Sequence, residues 1–125
     1  MGIKVAKFGG SSLCDAEHFR KVRNILLSDP DRRYVVPSAP GKRFDDDIKI
    51  TDMLYQCYNL VERNQNHEAL FGKIADRYRE IVRELDMDFD IDGLLSETCE
   101  EIRRQKSPDF TASRGEYLNG ILLAE

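Results

Sequence analysis

A helix-length segment between two short apolar strands is the feature of this sequence that most limits its fold. Residues 2–8 (GIKVAKF) alternate in polarity as a strand does, and residues 33–41 (RYVVPSAPG) form a second strand that Pro37 interrupts. Between them Asp15 can cap a helix that the SDPD sequence at 28–31 ends. The apolar stripe of this helix consists of Phe19, Val22 and Leu26. Strands joined by such a crossover are parallel, so the sequence predicts an α/β fold that starts with a βαβ unit.

The rest of the sequence predicts several helices and no further strand. Apolar residues recur at helical spacing in three stretches between Ile50 and Ile102, and we interpret them as core packing. The KSPDF sequence at 106–110 predicts a break in the chain. Ser113, with Glu116 three residues later, matches a capping box at the start of a last helix.

Composition restricts the class of protein. The chain has 125 residues, enough for one domain, and its net charge of −4 argues against nucleic acid as a partner. No apolar run reaches the roughly 18 residues of a membrane span, and the start lacks the apolar core of a signal peptide, so we expect a cytoplasmic protein without a membrane partner. The three cysteines are widely spaced, which predicts that they are reduced thiols that serve mainly in packing and that they form no metal site. His18 and His67 are expected at the surface or at helix caps.

The predicted sheet is small for a complete domain. A parallel sheet normally has more than two strands and both faces covered. The sequence also stops at ILLAE (121–125) within a helical pattern and without a stop signal, which predicts a cut in a longer domain. An exposed strand edge favours association, so we expect a homo-oligomer.

The stretch that follows the first strand has the residue types of an anion site. Two glycines, Gly9 and Gly10, let the backbone turn with positive φ and bring its N–H groups close to a ligand. Lys7 adds a full positive charge, and Ser11 and Ser12 can donate hydrogen bonds to phosphate oxygens. The same residues also suit an ordinary tight turn, and composition alone leaves both interpretations open.

Two common nucleotide motifs are excluded. The G-x-G-x-x-G pattern of a Rossmann loop is absent from the sequence. A Walker loop that ended at Gly41-Lys42 would need glycine at position 36 and serine or threonine at position 43, where the chain has Val36 and Arg43.

Four segments together resemble the N-terminal part of aspartate kinases, which belong to the amino acid kinase family. They are KFGGSS (7–12), VVPSAPGKR (35–43), KITDMLY (49–55) and SRGEYLNGILLAE (113–125). The resemblance implies a partial amino acid kinase fold, with residues 64–110 as a variable helical insert. Members of the family are several hundred residues long. The C-terminal half of the catalytic domain, with the adenine pocket and a catalytic aspartate, and the regulatory ACT domains are therefore expected to be absent here.

The resemblance also implies a reaction. Aspartate kinases are transferases that move the γ-phosphoryl group of ATP, with Mg²⁺, to the side-chain carboxylate of L-aspartate. The product, 4-phospho-L-aspartate, begins lysine, threonine and methionine biosynthesis. A carboxylate with a pKa of about 3.9 is already ionised at neutral pH, so the catalytic task is to position two anions and stabilise their charge.

The resemblance assigns roles to single residues. Lys7 is the catalytic cation that spans the phosphates. Thr51 forms a hydrogen bond with the substrate aspartate, and Glu116 pairs with the α-ammonium group of aspartate. The remaining ATP phosphate contacts are assigned to Gly9, Gly10, Ser11, Ser12 and Ser38.

Each assignment has a structural alternative. Lys7 could be a solvated strand-end lysine, Thr51 could cap a helix over residues 52–63, Ser38 could be a turn residue, and Glu116 could serve only the capping box. Lys42 and Arg114 could help electrostatically. We expect Arg43 and the acidic residues 45–47 to lie on a mobile surface loop.

Three functions follow from these observations. The first is part of an aspartate kinase that is inactive as this chain alone. The second is another amino acid kinase, for which a substrate without an α-ammonium group would make Glu116 unnecessary. The third is a non-catalytic helical assembly module with a structural glycine turn, which would have a complete core of its own.

Overall fold

The computed structural model of the protein describes residues 2–125, which form two strands and five α-helices. The elements are β1 (Lys4–Phe8), α1 (Ala16–Leu27), β2 (Arg32–Pro37), α2 (Ile50–Glu62), α3 (Glu68–Glu84), α4 (Ile91–Gln105) and α5 (Pro108–Ala124). A short 3-10 turn at Gly10–Ser12 connects β1 to the start of α1. The predicted α/β class is confirmed.

The first three elements form the predicted βαβ unit. Strands β1 and β2 pair in parallel, with Val5 opposite Tyr34 and Lys7 opposite Val36. Asp15 caps α1, because its carboxylate accepts a hydrogen bond of 2.9 Å from the backbone N–H of His18. The helix ends before Pro30, as the SDPD sequence predicts.

One face of the two-stranded sheet is exposed and, apart from Lys7, apolar. Val5, Tyr34 and Val36 lie on this face, and each is between 47% and 66% exposed. Phe8, which points to the other face, packs against the helical core. Since parallel sheets are normally covered on both faces, the exposed face agrees with the prediction of an unfinished sheet.

The core lies among the helices. The predicted apolar stripes are confirmed as packing residues, and Ile50, Leu54, Ile74, Leu95 and Leu118 are almost completely buried. Helices α3 and α4, which occupy most of the segment 64–110, contribute as much to this core as α2 and α5 do. No helix within residues 2–125 combines the length and the apolarity that a membrane crossing needs.

Helix α5 begins earlier than the sequence predicted. Its N-cap is Ser107, whose hydroxyl oxygen accepts a hydrogen bond of 3.1 Å from the backbone N–H of Phe110, and Pro108 occupies the first turn. Proline favours this position because it has no N–H to leave unpaired. The predicted capping box at Ser113 and Glu116 is therefore wrong, since both residues lie inside the helix.

The environments of the histidines and cysteines are mostly as predicted. Cys14, Cys57 and Cys99 are free thiols, and burial raises the pKa of Cys57 to about 12 and that of Cys99 to about 11. His67 directly precedes α3, but its side chain is buried with its Nε2 atom 3.0 Å from the carbonyl oxygen of Cys99. His67 is thus the N-cap residue of α3, as one of the two predicted alternatives has it, and only the surface alternative is wrong, because a contact with α4 covers the side chain.

Candidate functional site

The candidate site is an open cleft of about 530 Å³ where the carboxyl ends of both strands meet the start of α2 and the middle of α5. In open α/β sheets, ligands bind at this end of the strands. Three backbone segments and one face of α5 form its walls. The lining residues are Gly10, Ser11, Ser38, Ala39, Pro40, Gly41, Lys42, Lys49, Thr51 and Glu116.

The glycine turn after β1 is shaped by close backbone packing. The N–H of Gly41 donates a hydrogen bond of 2.9 Å to the carbonyl oxygen of Gly10. A Cβ atom at Gly41 would lie 2.7 Å from the carbonyl carbon of Gly10, and one at Gly10 would lie 3.0 Å from the carbonyl oxygen of Ala39. The two backbone segments can therefore come this close only because both positions lack a side chain. No glycine in the described part of the chain has a positive φ, and Gly9 is extended with φ −76°. The expectation of positive φ was wrong, and close approach is the reason for glycine at positions 10 and 41.

Gly9 differs from its neighbours because the fold itself does not require it. A Cβ atom added at Gly9 would meet no protein atom within 4 Å, and its backbone conformation is open to any residue. Packing therefore does not explain the first glycine of the pair.

The segment after β2 is fixed by a buried asparagine. The amide of Asn119 in α5 donates a hydrogen bond of 2.8 Å to the carbonyl oxygen of Ser38. Asn119 is fully buried, and its Oδ1 atom finds no hydrogen-bond partner among residues 2–125. The sequence analysis missed this residue. A polar side chain in the apolar stripe of α5, three residues after Glu116, was the available signal.

A glycine in α5 brings that helix against the cleft. A Cβ atom at Gly115 would lie only 2.5 Å from the Cβ atom of Ala39, and the Tyr78 hydroxyl donates a hydrogen bond of 3.1 Å to the Gly115 carbonyl oxygen. This close contact places the next residue, Glu116, on the wall of the cleft.

The start of α2 forms the opposite wall. The N–H of Ile50 donates a hydrogen bond of 3.2 Å to the carbonyl oxygen of Pro40, which ties the helix to the segment after β2. Thr51 lies in the first turn rather than at the cap, which Lys49 occupies, so its capping alternative is wrong. Unpaired N–H groups at a helix start carry partial positive charge that favours anions.

The charged groups of the cleft are free to meet a ligand. Lys42 and Lys49 line the cleft together with Glu116, and no ion pair between residues 2–125 uses any of the three. Lys49 was not singled out from the sequence. Arg114 does not line the cleft, since its guanidinium lies 4.2 Å from the ring centre of Phe110 and 4.3 Å from that of Tyr117.

The structure brings together five of the eight residues that the sequence analysis assigned to the site. Gly10, Ser11, Ser38, Thr51 and Glu116 share the cleft. Lys7, Gly9 and Ser12 flank it without lining it. Lys7 lies in β1 opposite Val36 and is exposed, one position before the strand ends.

The loop that leads from the cleft to α2 is held by hydrogen bonds between Arg43 and Asp47, which the sequence analysis did not predict. The Asp47 side chain is only 9% exposed and accepts hydrogen bonds from the backbone N–H of Arg43 at 2.9 Å and from its Nε at 2.7 Å. Of the acidic residues 45–47, Asp45 and Asp46 are exposed, whereas Asp47 is half-buried. The hydrogen bond from the Arg43 guanidinium holds the pKa of the Asp47 carboxyl well below its usual range.

Acid is expected to destabilise the protein through this carboxylate. A carboxyl whose pKa is lowered in the folded state stabilises the fold above its unfolded pKa of about 3.9, and this stabilisation is lost as the pH falls below that value. Asp47→Asn should lower the free energy of unfolding by about 1–3 kcal/mol at pH 7 and flatten its dependence on pH below about pH 4. Urea unfolding from pH 7 to pH 2 measures both effects. Asp46→Asn, at an exposed neighbour, is the control, and equal behaviour of the two variants would contradict the role of Asp47.

One group of side chains in the described part of the chain has the atom types of a metal site. The ligand atoms of Cys14, Asp15 and His18 lie within 4.8 Å of one another. Asp15 uses this position to cap α1, with its Oδ1 atom 2.6 Å from the His18 ring nitrogen, and burial raises the pKa of the Cys14 thiol. Helix capping accounts for these contacts.

Comparison with known proteins gives one consistent result. Aspartokinase 3 of Bacillus subtilis is 41% identical to the chain over 85 residues, which are 68% of this chain and 19% of that protein. The crystal structure of the Clostridium acetobutylicum aspartate kinase matches 99% of this chain with 49% identity and a TM-score of 0.95. Escherichia coli aspartokinase III, solved in complex with aspartate and ADP, matches 98% of it with 26% identity and a TM-score of 0.71.

The two solved structures match the chain almost entirely and the B. subtilis protein matches about two thirds of it, but each match involves only part of the relative. The chain spans about a fifth of the B. subtilis protein, 29% of the C. acetobutylicum chain and 28% of the E. coli chain. No protein-family model matches it.

Proposed function

This chain belongs to the aspartate kinase family, and we propose on that basis that its cleft is the phosphate-binding and aspartate-binding part of an ATP-dependent aspartate 4-kinase. One observation carries the proposal. The loop after β1, the segment after β2, the start of α2 and Glu116 of α5 converge on a single cleft at the carboxyl ends of the strands. The E. coli relative in complex with aspartate and ADP supports the two ligand classes.

The cleft suits the approach of one anion to another. The γ-phosphate of ATP and the aspartate carboxylate repel each other, so the protein must supply positive charge and fixed donors. Lys42, Lys49 and the start of α2 supply charge, and the hydroxyl groups of Ser11 and Ser38 can donate to phosphate oxygens. Lys7 would reach the phosphates from the end of β1, and the backbone N–H groups of Gly9 and Gly10 with the hydroxyl group of Ser12 would complete the cradle, since the Ser12 N–H already donates to the Gly9 carbonyl oxygen. The open space beside Gly9 leaves room for a phosphate.

The substrate amino acid would bind across the cleft from the phosphates. Thr51 can donate a hydrogen bond to a carboxylate of aspartate, and Glu116 can pair with its α-ammonium group. Glu116 is the only carboxylate that lines the cleft in the part of the chain described here. Because that carboxylate would be paired with the α-ammonium group, we assign no Mg²⁺ ligand to this chain, and Mg²⁺ would arrive bound to the phosphates of the nucleotide.

The exposed sheet face favours this proposal over a helical assembly module. A module with a complete core would cover Val5, Tyr34 and Val36, which are instead exposed as a parallel sheet face. We therefore propose that residues 2–125 form the first part of a kinase catalytic domain and that the chain by itself does not transfer phosphoryl groups at a useful rate.

A chimeric enzyme tests the proposed function. Residues 2–125 would replace the matching segment of the C. acetobutylicum aspartate kinase, with which they share 49% identity. We expect the chimera to form an acyl phosphate from ATP and aspartate, measured as the hydroxamate that hydroxylamine traps, and the chain alone to form none. A folded chimera that phosphorylates another carboxylic acid in preference to aspartate would contradict the assignment.

The role of Glu116 can be tested in the same chimera. Glu116→Gln should raise the KM for aspartate by about 10-fold to 100-fold, because an ion-paired hydrogen bond contributes about 1.5–3 kcal/mol, and should change the KM for ATP little. Steady-state kinetics with each substrate varied in turn measure this. Asp109→Asn, at an exposed position of the same helix, is the control. An unchanged KM for aspartate would remove Glu116 from the substrate site.

A further inference from the structure

A buried arginine in α3 contacts the backbone of all three segments that line the cleft. The Nη2 atom of Arg77 donates hydrogen bonds to the carbonyl oxygens of Cys14 at 2.9 Å and Gly41 at 2.8 Å. Its Nη1 atom donates one of 3.1 Å to the carbonyl oxygen of Ile48. The Cys14 carbonyl follows the glycine turn, the Gly41 carbonyl ends the segment after β2, and the Ile48 carbonyl lies just before α2.

The burial of this side chain needs an explanation. Arg77 is only 5% exposed, its nearest carboxylate oxygen is that of Asp47 at 3.8 Å from Nη1, and its Nε atom has no partner within residues 2–125. Burying an incompletely paired guanidinium costs free energy that an apolar residue in this helix would not. A planar group whose five donors are spread over three nitrogens, however, is well suited to bridging several separated carbonyls at once.

We propose that Arg77 is a positioning residue that holds the three walls of the cleft at a fixed separation before ligands bind. It touches no lining side chain and acts through backbone carbonyls. The direct bonds from Gly41 to Gly10 and from Ile50 to Pro40 link the segments in pairs, and Arg77 joins all three. Helix α3 lies in the segment that the sequence analysis took for a variable insert, so this assignment gives that segment a role at the site. Only the kinetic consequence of the proposal rests on the proposed function.

Hydrogen exchange of the whole chain tests this positioning without any ligand. The amides of Leu13, Gly41 and Ile50 are hydrogen-bonded across or beside the cleft walls. In the unmodified protein at low urea, we expect the three to open as one unit with the same urea dependence. Three separate opening reactions would overturn the proposal, and this measurement needs no variant.

Two variants of α3 separate positioning from general stability. Arg77→Lys keeps the charge but places all its donors on one nitrogen, whereas Arg77 reaches the three carbonyls from two separate nitrogens. Relative to the unmodified protein, the exchange of these three amides should therefore accelerate at least about 10-fold more than that of the α4 amides. Ile74→Val, which removes one buried methylene from the same helix, should accelerate exchange evenly. An even acceleration in Arg77→Lys as well would overturn the proposal.

Kinetics in the chimera give a second readout. Arg77→Lys should raise the KM values for ATP and aspartate together, about 10-fold, whereas Arg79→Lys, at an exposed position two residues away, should leave both unchanged. Unchanged KM values in an active Arg77→Lys chimera would overturn the proposal. If the unmodified chimera lacked kinase activity, the proposed function would fail, and hydrogen exchange would still decide the role of Arg77.

Discussion

Replacing Lys7 by alanine in the chimeric kinase is expected to lower kcat by about 100-fold or more, with a much smaller change in KM. Removing one preorganised positive or donor group from a developing anionic transition state commonly costs this much. Lys7 is the last lysine before the glycine turn, and its charge would act on the phosphoryl group in transfer rather than on the bound substrates. The hydroxamate assay under saturating ATP and aspartate measures kcat directly.

The neighbouring lysine of β1 provides a matched control. Lys4 forms an exposed ion pair of 2.6 Å with Asp29, and exposed pairs contribute little to stability, so Lys4→Ala should leave kcat unchanged. No ion pair among the described residues uses Lys7, so its removal should leave the free energy of unfolding nearly unchanged. If Lys7→Ala kept its full kcat, the catalytic cation would have to be Lys42 or Lys49 of the cleft.

Gly115→Ala is expected to lower the free energy of unfolding by about 2 kcal/mol or more, the cost typical of an overpacked core. The new methyl group would lie 2.5 Å from the Cβ atom of Ala39, and further contacts follow at 3.4 Å to Leu54 and 3.5 Å to Ile50. Neither Cβ atom can rotate away, so α5 would have to shift as a whole. Urea unfolding measures the loss, which does not depend on the proposed function.

Another helical glycine gives a control with the opposite sign. Gly72 lies inside α3, and a Cβ atom there would meet no protein atom within 4 Å, so Gly72→Ala should stabilise the protein by about 0.5–1 kcal/mol. Adding Ala39→Gly to Gly115→Ala should recover part of the stability, because it removes the clashing atom. A stability of Gly115→Ala equal to or above that of the unmodified protein would contradict the packing of α5 on the segment after β2.

Local signals were sufficient for the elements. The Asp15 cap, the proline stop near residue 30 and the apolar stripes of α1 to α4 act within a few residues of chain, and the structure agrees with each of them. The start of α5 was misplaced because two serine caps were available, and the Ser-Pro pair at 107 and 108 begins the helix a turn and a half earlier than Ser113. The clustering of Ser38, Thr51 and Glu116 followed from the family resemblance, since nothing in their spacing predicts a shared cleft.

The sequence by itself determined the parallel βαβ unit, the helical remainder and the residue types of an anion site, because periodicity, caps and turn residues are properties of adjacent positions. Only the tertiary structure decided why Gly41 and Gly115 must lack a side chain, and which carbonyls Arg77 and Asn119 bind. Those contacts join residues 29 or more positions apart. A polar or small residue within an apolar stripe carries no record of its distant partner until the helices pack.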